Sequence, residues 1–198
     1  MKSHKVLIKT LIFAVGALVS LWLLTPWGKI GEYAILSVEK TAISKGFNAQ
    51  HSSVNGSWKG PNIKVNNFVS KMAFGGGEFK TLSFSPSFLQ SIIQFSPVIS
   101  VSFTDSTLFF PGGNAIDIGS GNFEVSRKND KLLFRNLKNT GEFLLEGNIA
   151  IDVKGPKIDN ADLMIKSPEK TEQSLYLMKA ILPLTQESKG QWRLRRDN

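Results

Sequence analysis

The chain has 198 residues and is 41% hydrophobic, so it is too apolar for a disordered protein and long enough for one domain with a core. It contains no cysteine, which excludes disulfides, thiolate metal sites and thiol catalysis. The net charge of +8 indicates an anionic neighbour. The lysines are scattered and no aromatic-basic platform accompanies them. We therefore expect the anionic neighbour to be membrane headgroups and not a nucleic acid.

The first element is an uncharged segment over residues 10–27. At about 1.5 Å per residue it covers most of a hydrocarbon layer of about 30 Å, which predicts a transmembrane helix. Trp22 and Trp27 lie where an aromatic belt belongs, and they are the candidate membrane-anchor residues. Three lysines precede the segment, so the positive-inside rule leaves residues 1–9 in the cytoplasm and carries residues 28–198 across. A cleaved signal peptide is the alternative, but no Ala-x-Ala cleavage site follows the segment, and bulky residues occupy its C-terminal end.

A connecting helix is predicted over residues 28–46. Apolar residues recur there at intervals of three and four, from Ile30 to Ile43, and Gly46 suits a helix C-cap. Two interpretations stay open: a stalk or membrane-lying helix, and a helix that covers the following sheet.

Residues 47–198 are predicted to form one β-rich domain. Ile99, Val101 and Phe103 alternate with serine and threonine, which is typical of a half-buried strand. Similar segments recur about every ten residues and predict a twisted antiparallel meander. Helical patterns interrupt the strands at residues 87–95 and 168–182, and a last strand is predicted at residues 191–195.

Turn signals separate the predicted strands. Asn55-Gly56 suits a tight hairpin turn, and Gly75-Gly76-Gly77 and Gly119 to Asn122 are also predicted turns. We expect Gly56, Trp58 and Gly60 to shape the first hairpin or its partner-binding face, with Trp58 covering the sheet. The run Phe109-Phe110-Pro111 is either a partner-binding patch or a buried strand end.

No pattern typical of enzyme chemistry is present. His51 lacks neighbours at metal-ligand spacing, and Gly75-Gly76-Gly77 lacks the lysine and hydroxyl residue of a phosphate loop. Asp159 and Asp162 stand between lysines and resemble a solvated surface more than an acid-base pair. We therefore expect no enzyme activity, no cofactor and no metal, and a function that depends on surfaces.

Three segments resemble a known family. Residues 53–67, SVNGSWKGPNIKVNN, are similar to its opening hairpin, and residues 82–93, LSFSPSFLQSII, to a strand that runs into a short helix. Residues 141–165 resemble its glycine-bounded strands. The family is the type II secretion system protein N family (GspN), which is related in architecture to AsmA-like proteins.

The resemblance implies a mainly β, AsmA-like fold with a few helices. It also implies that a single helix anchors the chain in the inner membrane and that the β domain lies in the periplasm. It implies no catalytic residues. The first functional hypothesis is an accessory inner-membrane component of type II secretion that binds other secretion-system or envelope proteins through its periplasmic domain. The second is an AsmA-like lipid-binding or lipid-transport protein whose sheet cradles acyl chains. A structural anchor or chaperone for an envelope complex is the third, and the sequence does not separate it from the first.

Overall fold

The computed structural model describes residues 2–44, 46, 48–57, 60–72, 75–109, 115–154, 157–180 and 182–196. The helices in this part are α1 (Lys2–Leu24), α2 (Trp27–Ser44), α3 (Phe88–Gln94) and α4 (Glu169–Met178). The strands are β1 (Asn48–Gln50), β2 (Ser53–Gly56), β3 (Ile63–Met72), β4 (Gly75–Pro86), β5 (Val98–Phe109), β6 (Ala115–Lys128), β7 (Lys131–Asn139), β8 (Leu144–Asp152), β9 (Ile158–Lys166), β10 (Leu184–Ser188) and β11 (Gln191–Arg196).

All eleven strands belong to one antiparallel sheet with the order β1-β3-β4-β5-β6-β7-β8-β9-β11-β10. β1 and β2 both pair with β3, with Ala49 opposite Ser70 and Val54 opposite Val65, so together they form one interrupted edge. At the other end β10 folds back outside β11. The predicted mainly β, antiparallel architecture is confirmed.

Five strands contain a residue with positive φ in their interior, and several register shifts accompany them. Asparagine, aspartate and glycine tolerate this conformation better than other residues, and an extra residue of this kind bends a strand. The five are Asn67 in β3, Asp105 in β5, Gly119 in β6, Asn136 in β7 and Gly147 in β8.

The hydrophobic core lies along the inner face of the sheet and is closed at the C-terminal end by α4. Trp192 of β11 is fully buried, and its ring meets the ring of Tyr176 edge-to-face at 4.8 Å. Val101 and Phe103 are buried, as the strand pattern predicts, whereas Ile99 stays exposed.

Asn139 fixes the corner between β7 and β8. Its amide nitrogen donates to the carbonyls of Ile118 and Phe143, each at 2.7 Å, and its side-chain oxygen accepts the amide of Leu145 at 2.6 Å. The side chain is buried, so these bonds satisfy backbone groups that water does not reach.

Three predicted turns are wrong. Asn55 and Gly56 belong to β2, opposite Lys64 and Ile63, so the chain reverses after them. Gly75-Gly76-Gly77 opens β4 and pairs with the end of β5, and Gly119 to Asn122 lie inside β6. In these segments glycine allows neighbouring backbones to approach closely or a strand to bulge. Composition alone does not distinguish these uses of glycine from a turn.

The N-terminal helical region is broken at Thr25 and Pro26, so Trp27 opens α2 and does not end α1. Proline lacks an N–H and restricts the residue before it, which explains the break.

Within the described residues, no single helix is long and apolar enough to cross a membrane. The segments Lys9–Leu24 and Trp27–Ser44 meet the length and hydropathy criteria as a pair bent by 56°.

Candidate interaction surfaces

The first surface is the contact by which α2 covers the β1–β2 edge of the sheet. Gly28 of α2 lies directly against Gly56 of β2, where a Cβ atom on Gly56 would stand 2.0 Å from the Gly28 nitrogen. One turn later, Gly31 faces the Ile63 side chain. Glycine at these positions brings helix and strand backbones together, so α2 packs on the sheet and is not a free stalk.

A polar pair holds the second half of α2. The Nδ1 atom of His51 lies 2.6 Å from Oε1 of Glu39, and both side chains are nearly buried. His51 therefore connects the segment after β1 to the helix. Sequence reasoning missed Glu39 as its partner because the two residues are twelve positions apart and belong to different elements.

An aromatic junction, formed by Trp22, Trp27 and Phe88, connects the end of α1 to the domain. The Trp22 ring centroid lies 5.1 Å from that of Trp27 and 5.2 Å from that of Phe88. The Trp27 indole N–H also donates to the Trp22 carbonyl at 3.1 Å. Gly60 is buried beside this junction, and a Cβ atom on it would stand 3.5 Å from Nε1 of Trp22.

The structure thus brings three of the sequence-predicted site residues, Trp22, Trp27 and Gly60, into one place, and puts Gly56 at the neighbouring α2 contact. Trp58 lies outside the described residues. Of the Phe109-Phe110-Pro111 run, Phe109 ends β5 as a half-buried residue, and the other two positions lie outside the described residues.

α3 carries an apolar tip, defined here as Phe88, Leu89, Ile92, Ile93 and Phe95. The helix buries none of its residues, and Leu89, Ile92 and Ile93 are 71%, 69% and 62% exposed. α3 connects β4 to β5, and Gln94 near its end accepts a hydrogen bond from Arg135 of β7 at 2.8 Å. An exposed apolar cluster of this kind marks a contact with another apolar surface.

A ladder of phenylalanine rings crosses five neighbouring strands on one face of the sheet. Successive ring centroids are separated by 6.4, 5.9, 6.4 and 6.0 Å. Phe103 is buried and the other rings are half-buried. The ladder consists of Phe68, Phe79, Phe103, Phe123 and Phe134.

Two shallow depressions adjoin the ladder. One, of about 310 Å³, includes Phe134 and Ile149 in its lining, and the other, of about 240 Å³, includes Val101 and Phe123. Polar residues share both linings. Small-molecule pockets typically measure about 300–1,000 Å³, so these depressions stand at or below the lower limit.

The last surface is the outer edge of β10, where the sheet ends. Within the described part of the chain, β10 pairs with β11 alone. Thr185, Glu187 and Ser188 are exposed along it, and Leu177 of the adjacent α4 is 63% exposed. A short strand with an open side is suited to accept a strand from another chain.

Comparison with protein families identifies the one to which the chain is similar. The family model described as "Type II secretion system protein GspN-like, Synergistales" matches residues 4–196. No curated protein and no solved structure matches the chain.

Proposed function

The chain belongs to the GspN-like family of type II secretion proteins, and from this premise we propose that it is an accessory inner-membrane component of the secretion machine. The match extends over nearly the whole chain, from α1 to β11, and this single observation carries the proposal. In this role the protein binds other machine subunits with its β domain and carries out no chemistry of its own.

The proposal places α1 in the membrane. From Lys9 to Leu24 its described side chains are exposed, except for Trp22 in the aromatic junction, and Phe13 is 79% exposed. Exposed apolar area costs about 25 cal/mol per Å² in water, so a helix that is apolar on all sides is stabilised by lipid. The aromatic junction then lies at the interface, with the N-terminus in the cytoplasm and the sheet in the periplasm.

Partner binding is assigned to the open edge of β10. The opposite edge of the sheet is covered by α2, whereas β10 pairs on one side only within the described residues, which leaves its other side for strand addition. Tyr176 of α4 donates its hydroxyl to the Gln186 side chain of β10, and its half-exposed ring offers an aromatic contact beside the new strand.

The role is tested by deleting the gene and following secreted proteins. We expect exoproteins to accumulate in the periplasm and to be exported again when the gene is restored. Normal export in the deletion strain would refute the secretion role.

The binding edge is tested by site-specific cross-linking. Because the chain has no cysteine, one introduced thiol is unique. Glu187→Cys on β10 should cross-link to secretion subunits, whereas the control Ser102→Cys, which is exposed in the middle of the sheet, should not. Equal cross-linking from both positions would argue against binding through the edge.

The phenylalanine ladder favours a second candidate function, AsmA-like lipid binding or transport. A row of five rings across five strands, all half-buried except the buried Phe103, offers an apolar track for an acyl chain. A photo-crosslinking residue at Phe123 of the full chain should then give lipid adducts in cells, detectable by mass spectrometry. The absence of such adducts, with efficient adducts from a position in α1, would exclude this candidate.

A further inference from the structure

The apolar tip of α3 stands beside the end of the apolar helix α1. Phe88, the first residue of α3, contacts Trp22, which lies two residues before the end of α1. If α1 crosses the bilayer, as the proposed function requires, Trp22 lies at the interface, and α3 is fixed at the same depth. The position of the tip relative to the bilayer therefore follows from a contact within the chain.

Phe95 supports a contact outside the protein. It ends α3 with φ of 48°, a left-handed conformation that favours glycine or asparagine and is uncommon for a bulky residue. Its side chain is 96% exposed, so no packing inside the domain offsets the strain. An aromatic side chain in such a position is explained by an apolar environment beyond the protein surface.

Cationic residues of β6 and β7 lie along one side of the tip. Arg135 donates from Nη1 to the Gln94 side chain of α3 at 2.8 Å, and the Arg127 carbonyl accepts the hydroxyl of Ser96. Arg127 and the adjacent Lys128 are exposed. An apolar face with arginine and lysine along one rim is typical of elements that lie in the interface of an anionic membrane.

We propose that the apolar tip of α3 inserts into the interfacial layer of the same bilayer that holds α1. The β domain is then attached to the membrane at two places, the α1 helix and the α3 tip, and its orientation is fixed. The tip enters only about as deep as the headgroup and upper acyl region, since interfacial helices bury their apolar face by about 5–10 Å.

The experiment uses the full chain in phosphatidylcholine–phosphatidylglycerol vesicles with one environment-sensitive NBD label per protein. The positions are Ile93→Cys in the tip, Leu18→Cys in α1 and Ser188→Cys near the far edge of the sheet. We expect quenching of the Leu18 label by deep spin-labelled lipid and of the Ile93 label by shallow spin-labelled lipid. The Ser188 label should respond only to aqueous iodide.

The outcomes separate the two proposals. If the Leu18 label is quenched by lipid and the Ile93 label only by iodide, the inference is overturned and the anchor stands, and the tip becomes a candidate protein-binding surface. If neither label is quenched by lipid, the membrane anchor itself fails. In pure phosphatidylcholine, lipid quenching at Ile93 should weaken because the cationic rim loses its anionic headgroups.

Phe95→Gly distinguishes a membrane role from a folding role. Glycine adopts the left-handed conformation without strain, so the unfolding temperature should stay the same or rise. Lipid quenching of the Ile93 label should fall, because the most exposed ring of the tip is lost. A lower unfolding temperature with unchanged quenching would show that Phe95 serves the fold and would overturn the inference.

Discussion

Replacing Gly56 by alanine should push α2 away from the sheet. The added Cβ atom would stand 2.0 Å from the nitrogen and 2.4 Å from the Cα atom of Gly28, where ordinary contacts are 3.4–4 Å. Both neighbours are backbone atoms and cannot rotate away, so the helix itself must shift. The shift also loosens the fit of Gly31 on Ile63.

The cost follows from this geometry. Overpacking in a well-packed contact costs about 1–3 kcal/mol, and a contact between two backbones belongs near the upper limit. We expect Gly56→Ala to lower the free energy of unfolding by about 2–3 kcal/mol. In a domain of this size that corresponds to a decrease of roughly 4–12 °C in the unfolding temperature.

The assay is thermal unfolding of the detergent-solubilised chain, together with hydrogen exchange of the α2 amides. Gly16→Ala in α1 is the matched control, because no atom lies within 4 Å of its Cβ position and alanine favours a helix. Faster exchange in α2 of Gly56→Ala, with unchanged exchange in Gly16→Ala, is the expected result. An unchanged unfolding temperature and unchanged α2 exchange in Gly56→Ala would refute the packing argument.

Three further predictions concern the domain. Asn139→Leu removes three hydrogen bonds to backbone groups, although the Ile118 carbonyl keeps the amide of Gly141 at 3.1 Å. It should cost about 2–4 kcal/mol in denaturant unfolding, and a cost below about 1 kcal/mol would contradict the assigned bonds. Trp192→Ala should lower the free energy of unfolding by about 3–5 kcal/mol, because it empties a fully buried site. Trp192→Phe should lower it by under about 1.5 kcal/mol, because phenylalanine keeps an aromatic ring and the indole N–H has no acceptor within the described residues. Equal decreases for the two variants in unfolding experiments would argue against this. The hydrogen bond and charge of Lys189 lower the pKa of Glu169, so this pair stabilises the fold above the ordinary carboxyl pKa and the contribution is lost as the pH falls through the lowered value. Lys189→Ala should return the Glu169 pKa towards its ordinary value in a carboxyl NMR titration, whereas an unchanged titration would show that the pair does not form in solution.

The elements of the sheet were predictable where the pattern is local. Alternation in β5 and helical spacing in α3 and α4 depend only on neighbouring residues, and the structure places all three elements close to the predicted positions. The glycines were not predictable. Gly119 lies against Gly141, where a Cβ atom would stand 2.9 Å from the Gly141 nitrogen, and this contact depends on a segment about twenty residues away.

The interaction surfaces were likewise predictable only where the sequence signal is local. Trp22 and Trp27 were predicted as anchor residues from an aromatic belt, which is a local signal. The contact of Trp22 with Phe88 joins two helices that are separated by four strands, so no sequence spacing indicates it. Likewise, the spacing in α3 predicts its apolar residues but not their exposure, because exposure depends on where the fold places the helix.

The order of the strands separates the proposed membrane contacts from the proposed partner edge. α2 and the β1–β2 edge adjoin α1, whereas β10 is nine strand positions from β1. Neighbouring strands lie about 4.8 Å apart, so β10 is roughly 40 Å from that edge along the sheet. In the proposed arrangement the α3 tip and α1 together fix the near end at the bilayer, and the sheet then presents the β10 edge at a defined place relative to the membrane. Substitutions in the α3 tip should then change where that edge is presented to a partner without changing the edge itself.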